Sequence, residues 1–504
     1  MLRKIRITLA TLVFIGITTL FLDFTGTLHH WLGWLAKIQF MPALLATNIV
    51  IGSILLFATI LFGRVYCSVI CPLGIMQDII SWFASKRKGG KFRFSFSPEK
   101  KWIRYGVLAL FFVAFVFGAS AVVSILEPYS SFGRIAQNFL SPIYIGINNI
   151  LAYIAERVGS YTFYEKEIWI KSGITLGITI ATFAVIAYLA WKNGRTYCNT
   201  ICPVGTFLGL VSKNAIFNIS INEEKCNGCG LCGKSCKAAC IDTQNHSIDY
   251  SRCVVCGDCL DNCKKEAISY KFNPKGIAQR NSQKNCETNH KESTPDTSRR
   301  SFLTGVALAT GSVAFAQEKK KVDGGLAAIE EKKIPERETP ITPPGSQSAW
   351  RMAHSCTACQ LCVSACPNDV LRPSTDLSTL MQPTLSFERG YCRPECTRCG
   401  EVCPTGAIKP IDRAEKSSIQ IGHAVWIKKN CIPISKGDSC DNCARHCPTG
   451  AIQMINSVKG DDSSKKIPAI NVEKCIGCGA CEHLCPARPF SAIYVEGHES
   501  HRII

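Results

Sequence analysis

No Gly-rich nucleotide fingerprint, no haem-attaching Cys-x-x-Cys-His and no molybdenum-type catalytic domain can be read in this chain. A terminal reaction that needs any of these belongs to a partner. Acidic residues are scarce too, 38 against 57 lysines and arginines, for a formal charge of +19 over 504 residues. Such a balance would suit a nucleic-acid binder, but no basic stripe interleaved with aromatics accompanies it, which excludes nucleic acid as a partner.

Cysteine, by contrast, is abundant: 30 residues, of which 24 fall into six quartets. Two quartets lie mid-chain, Cys226, Cys229, Cys232, Cys236 and Cys253, Cys256, Cys259, Cys263. Four more follow a polar stretch: Cys356, Cys359, Cys362, Cys366; Cys392, Cys396, Cys399, Cys403; Cys431, Cys440, Cys443, Cys447; and Cys475, Cys478, Cys481, Cys485. Thiols grouped on one short loop, with a fourth just beyond it, suit wrapping a cubane corner by corner. Zinc ribbons use separated pairs instead. Six 4Fe-4S clusters are therefore expected, and so many one-electron centres in one chain mean electron transfer. Each cluster with four thiolates carries about −2, so six offset about twelve units of the excess positive charge.

In two-cluster ferredoxins the fourth cysteine of each motif ligates the other cluster, which assigns Cys263 to Cys226, Cys229 and Cys232, and Cys236 to Cys253, Cys256 and Cys259. Lys237 and Lys264 stand where this motif usually has proline, whereas Pro367, Pro404, Pro448 and Pro486 keep it. The second late quartet opens with a gap of three and the third with a gap of eight, which makes these the least regular ligand sets. Of the cysteines left over, Cys240 follows Cys236 closely enough to substitute as a ligand, though a free thiol is the simpler reading, and Cys286 lies in a linker.

Residues 1–215 are a different material. Apolar runs at roughly 7–22, 43–62, 105–126 and 172–191 each approach the length that crosses about 30 Å of hydrocarbon, and predict a membrane α-helical bundle of four transmembrane helices. A further stretch, 139–154, contains Pro142, Asn148 and Asn149 and reads as a surface or re-entrant helix, with a fifth span as the alternative. Arg3, Lys4 and Arg6 precede the first run, and residues 64–104 carry nine lysines or arginines against Asp78 and Glu99, which marks both segments as cytoplasmic. A multi-pass protein of a bacterial cytoplasmic membrane is expected.

An internal repeat sharpens this: GRVYCSVICPLG at 63–74 recurs as GRTYCNTICPVG at 194–205. A duplicated helical hairpin would bring Cys67, Cys71, Cys198 and Cys202 to one membrane face. Four thiols there suit a further metal centre or dithiol cycling, against the plainer reading that small cysteines pack the helix ends.

The stretch from Asn273 to Thr297 is poor in apolar residues and reads as linker. It ends at Ser298, Arg299, Arg300, Ser301, Phe302, Leu303, a twin-arginine motif followed by a short apolar run to Ala316. Clusters are inserted in the cytoplasm, so a domain that carries them must cross already folded, which calls for the Tat translocon. The expected layout is a transmembrane domain at 1–215, a two-cluster ferredoxin domain at 216–272, linker at 273–297, an export signal at 298–316, linker at 317–348 and a four-cluster α+β ferredoxin-like domain at 349–504. Residues 216–297 would then be cytoplasmic and 317–504 periplasmic.

With its helices, its two Cys-x3-Cys-Pro copies and its two-cluster domain, the part from 1 to about 270 resembles the NapH family of membrane quinol dehydrogenases. Residues 298–504 look like the NapG/MauM family. The resemblance implies a fusion that passes electrons from the membrane quinone pool to a periplasmic reductase or cytochrome, nitrate reductase being its suggestion for the acceptor. It also implies that the first and last late motifs exchange their fourth cysteines, Cys485 completing the first site and Cys366 the last. Quinol oxidation needs a proton acceptor near the membrane interface, for which Glu127, beside Pro128 and Tyr129, is a candidate, as are His29 and His30. A metal-reducing maturation factor of the CcoG type is the alternative. Under the quinol reading, clusters on both sides of about 30 Å of hydrocarbon lack an assigned carrier between them.

Overall fold

The computed structural model describes residues 2–23, 25–87, 93–272, 330–458 and 464–504. The expected linker 273–297, the twin-arginine segment 298–316, residues 317–329 and Cys286 lie outside the described residues.

Two helices, Leu2–Leu22 and Gly173–Asn193, are 21 residues long and apolar enough to cross a membrane. Their length, at 1.5 Å per residue, is about 32 Å. Ser172 caps the second helix by accepting from the Thr175 N–H, and Gly194 ends it at φ 68°. The other two apolar runs, expected as transmembrane helices, are each broken in two. The run at 43–62 is split between Phe40–Leu45 and Ile49–Phe62 by Thr47 at φ 53° and by Asn48, whose side chain accepts from the Ile51 N–H. The run at 105–126 is split between Lys101–Val116 and Ser120–Leu126 by Gly118 at φ 70°. At 14 and 16 residues, Ile49–Phe62 and Lys101–Val116 are each shorter than the two long helices. Residues 141–157 form one helix that buries Asn148 and Ala152 and exposes Ile143, Ile147, Ile150 and Ile154.

Packing in the bundle is reciprocal. Helix Pro72–Ser85, which follows the first Cys-Pro, lies against Gly173–Asn193, which precedes the second repeat copy. Helix Pro203–Ser212, which follows the second Cys-Pro, lies against Ile49–Phe62, which precedes the first. The outer faces of these helices are apolar, with Leu9, Leu12, Ile15, Ile54, Phe57, Val113, Val116 and Val185 all exposed.

At one end of the bundle sits the unit from Phe217 to Phe272, closed by antiparallel pairing of Phe217–Ile221 with Ile268–Phe272. Arg3 reaches Asp258 at 2.9 Å, and the Arg195 N–H donates to the Lys237 carbonyl at 2.8 Å. The later cysteine-rich unit sits at the other end. There the Lys171 Nζ donates to the Val363 carbonyl at 3.0 Å, Arg389 pairs with Glu167 at 2.9 Å, and Ser120 Oγ donates to the Ser378 carbonyl at 2.8 Å. Both long helices thus run from one ferredoxin unit to the other. A single core of buried residues continues from the first unit through the bundle into the near half of the second, while Ala424, Ile452 and Ile493 belong to a separate core in the far half. Residues 330–348, expected as linker, lie along this second unit: Lys332 Nζ donates to the carbonyls of Glu482, His483 and Cys485, and Arg337 pairs with Glu482. Those carbonyls end the short helix Ala480–Leu484 and attract a cation.

Candidate iron-sulfur sites

Three hairpins decide which thiols meet. Strands Ile241–Asp242 and Ser247–Ile248 lie between Cys236 and Cys253, Leu371–Pro373 and Pro383–Leu385 between Cys366 and Cys392, and Ile452–Asn456 and Lys466–Ile470 between Cys447 and Cys475. Each turns the chain back, so that two consecutive quartets face each other and exchange their last cysteine.

In the first unit one cavity is lined by Cys226, Cys229, Cys232 and Cys263, and a second by Cys236, Cys253, Cys256 and Cys259. In the second unit Cys431, Cys440, Cys443 and Cys485 share one cavity, and Cys447, Cys475, Cys478 and Cys481 another. The Cys362 thiol feels Cys356, Cys359 and Cys403 most strongly, with Cys399 after them, and the Cys399 thiol feels Cys392, Cys366 and Cys396. Hence Cys485 joins the third late motif and Cys366 the second, against the first-with-last exchange that the resemblance implied. The irregular gap of eight after Cys431 is taken up by the short helix Ile432–Ser435, which leaves Cys431 on the cavity wall.

These donor sets fit 4Fe-4S clusters. Burial, the largest cause, pushes the thiols of Cys359, Cys443 and Cys478 up to about 12, so thiolates form here only against a metal's positive charge. Among the described residues no three Cys, His, Asp or Glu side chains converge as ligands of a single ion. Thiols standing around a void suit the corners of a polynuclear core instead.

Cys240 occupies the cavity of Cys236, Cys253, Cys256 and Cys259, with its Sγ 3.6 Å from Cys236 Sγ and within hydrogen-bonding reach of Cys253. With a cluster bound, a thiol there would donate to its ligand sulfurs and favour its reduced form. Cys240→Ala is expected to lower the potential of that cluster by roughly 40 mV, the equivalent of one lost hydrogen bond of about 1 kcal/mol, in an EPR-monitored redox titration. Cys240→Ser keeps a donor and should hold most of the potential.

The repeat explains itself residue by residue. Gly63 and Gly194 turn the chain at φ 78° and 68°, and a single turn of helix follows in each copy. Cys71 and Cys202 then precede prolines that open the next helix, where a missing N–H costs nothing. Arg195 Nη1 donates to the Cys67 carbonyl at 2.6 Å, and Arg64 Nη2 to the Cys198 carbonyl at 3.2 Å, so each copy's arginine braces the other copy. Gly74 and Gly205 are required by the same contacts, since a Cβ at either would stand 2.3 Å from the facing cysteine carbonyl. The structure thereby brings Cys67, Cys71, Cys198 and Cys202 together, all buried. The two arginines were visible in the repeat, but nothing in the sequence marked them as cross-braces.

Glu127 is buried as the N-cap of helix Pro128–Ile135, its two carboxylate oxygens accepting the Tyr129 and Ser130 N–H groups. It lies within electrostatic reach of Arg134, of the Tyr66 and Tyr197 phenols and of the Cys359 thiol. His29 stands 3.6 Å from Asp23, and His30 packs edge-on against Trp31.

Two family models match. One described as a 4Fe-4S binding domain covers residues 44–91 and 174–221, the two repeat copies, and one described as a 4Fe-4S dicluster domain covers 355–416 and 436–488, which hold the late cysteines of the consecutive pairs except Cys431. Among curated relatives, the methylamine utilization ferredoxin-type protein MauN of Paracoccus denitrificans is 24% identical over 194 residues, 38% of this chain and 55% of that protein. The ferredoxin-type protein NapG of Escherichia coli is 28% identical over 200 residues, 38% of this chain and 82% of its own length. The chain spans about half the length of the MauN relatives it matches. No solved structure matches. The methylamine utilization ferredoxin-type protein MauM of Methylorubrum extorquens is 32% identical over 199 residues, 37% of this chain and 84% of that protein. The chain is thus an iron-sulfur, ferredoxin-type electron-transfer protein and belongs to the MauM family.

Proposed function

We propose that the chain is a multi-pass protein of the bacterial cytoplasmic membrane that takes electrons from a quinol and delivers them to a periplasmic reductase or cytochrome, nitrate reductase being one such acceptor. The observation that supports this best is that two apolar 21-residue helices connect the two ferredoxin-type units, with the bundle's exposed side chains apolar between them. The two-cluster unit would face the cytoplasm, and the four-cluster unit the periplasm after passage through the Tat translocon. The six cysteine quartets would hold 4Fe-4S clusters, which when bound supply one-electron carriers whose potentials the protein tunes.

Within this reading the thiol sets form an ordered series. Cys229, exposed, marks the outer end of the two-cluster unit, and the set of Cys236, Cys253, Cys256 and Cys259 adjoins the bundle beside Gly63. Across the bundle Cys359 packs on Gly133, and the Cys392 N–H donates to the Cys478 carbonyl, which ties the near pair of sets to the far pair. Glu127 would take a quinol proton, since each of its oxygens keeps a lone pair beyond its backbone bond.

Anaerobic titration of the purified full chain with a menaquinol analogue, followed by EPR, tests this. Clusters reduced by the quinol support it, whereas clusters that dithionite reduces and quinol does not would turn the reading toward a metal-reducing maturation factor. Glu127→Gln is expected to slow quinol-dependent reduction roughly 100-fold while leaving dithionite reduction intact.

A further inference from the structure

Among the described residues outside the six quartets, Cys67, Cys71, Cys198 and Cys202 form a further set of four thiols. All four are free thiols and 3–4% exposed. Each lies within electrostatic reach of the other three. Either repeat copy alone supplies two, too few to hold a cluster, and only the reciprocal packing assembles four.

Their surroundings are those of thiolates. Every one of the four sulfurs receives an N–H donor: Arg64 Nη2 at 3.8 Å on Cys67, the Gly74 backbone on Cys71, Gln77 Nε2 at 3.1 Å on Cys198, and the Gly205 backbone at 3.3 Å on Cys202. Such N–H···S bonds support ligand sulfurs in iron-sulfur sites. The charge balance points the same way. Arg64 is 0% exposed and makes no ion pair with a described carboxylate, its bonds going to the Asn199 side chain, two carbonyls and Cys67. Arg64 Nε and Arg195 Nη2 are buried without any partner. A buried guanidinium lacking counter-charge costs several kcal/mol, and four thiolates on an iron-sulfur core, with a net charge of about −2, would supply it.

We propose that Cys67, Cys71, Cys198 and Cys202 jointly ligate a seventh iron-sulfur cluster, held between the two repeat copies. The site is placed to join the two ferredoxin units. Arg64 and Asn199 also bind the Ser251 and Ala238 carbonyls beside the Cys236 set, while Tyr66 and Tyr197 lead toward Glu127 and Cys359. Its chemistry is exchange of one electron at a time, with no bond made or broken. That relay role rests on the proposed electron path, but the presence of the cluster does not.

The test is iron and acid-labile sulfide per chain, with Mössbauer and EPR spectra, on the anaerobically purified full chain and on its Cys71→Ser, Cys202→Ser double variant. The native protein should hold more than the roughly 24 irons that six cubanes account for. The variant should lose about four irons for a cubane, or about two for a two-iron core, together with one reduced EPR species, the remaining signals persisting. Native iron that stops at about 24 overturns the proposal without reference to the variant's folding. So would alkylation and peptide mapping that finds these cysteines paired as disulfides in the native protein. Extra iron in a chain that quinol fails to reduce keeps the site and removes the quinol reading instead.

Discussion

Asparagine in place of Asp78 is expected to destabilise the bundle by about 3–5 kcal/mol, the usual cost of stripping the partner from buried charges. One carboxylate here serves three cations from three parts of the chain. Its Oδ1 takes Arg195 Nε at 2.7 Å, and its Oδ2 takes Arg6 Nη1 at 2.8 Å and Lys237 Nζ at 3.0 Å. Arg6 belongs to the first helix, Arg195 to the second repeat copy and Lys237 to the first ferredoxin unit, and no side chain of the four is more than 13% exposed. Asparagine keeps the shape but leaves Arg195 and Arg6 without a described carboxylate, and Lys237 with Asp258 alone at 3.2 Å. The lysine that replaces the motif's usual proline thus docks the first ferredoxin unit on the bundle. A thermal scan in detergent should show Tm falling by roughly 10 °C. Arg3→Ala provides the comparison. That arginine is 42% exposed where it meets Asp258 and Asp261, so its loss should cost under about 1 kcal/mol. Equal losses for the two variants would show that burial does not set the strength of these pairs.

What could be read from the chain beforehand follows distance along it. Cysteine spacing is a local signal, and so were the glycines, prolines and cysteines of the repeat. Hydropathy was local as well, but averaging over a window hid the left-handed Thr47 with its capping Asn48, and Gly118, each of which stops a helix inside an apolar run. An asparagine immediately before three apolar positions is an N-cap signal that composition alone does not weigh. The contacts that position the repeat thiols were illegible, because Arg64 finds Cys198 and Arg195 finds Cys67 across more than a hundred residues. Glu127 illustrates the opposite limit. A carboxylate at a helix end was visible, while its engagement by the Tyr129 and Ser130 N–H groups required the backbone.

Pairing of the late quartets is where likeness to four-cluster relatives and local chain geometry disagreed, and it yields a test that needs no structure. If Cys485 belongs with Cys431, Cys440 and Cys443, a Cys431→Ser, Cys485→Ser double variant breaks one site twice and should lose about four irons, the content of one cluster. A Cys356→Ser, Cys485→Ser variant then breaks two sites and should lose about eight. Exchange of the first motif with the last predicts the reverse, eight irons for the former and four for the latter, since Cys485 would share a site with Cys356. Iron analysis of the two double variants and the three single ones separates the arrangements without assigning any spectrum, because substitutions in one site overlap and substitutions in separate sites add. The local hairpins favour the first outcome. Between Cys447 and Cys475 the strands Ile452–Asn456 and Lys466–Ile470 pair residue for residue from Ile452 with Ile470 to Asn456 with Lys466, which returns the chain to the motif it has just left. Carrying Cys485 to the first motif instead would require breaking its place beside Cys431, where its Sγ also accepts the Ala492 N–H at 3.3 Å.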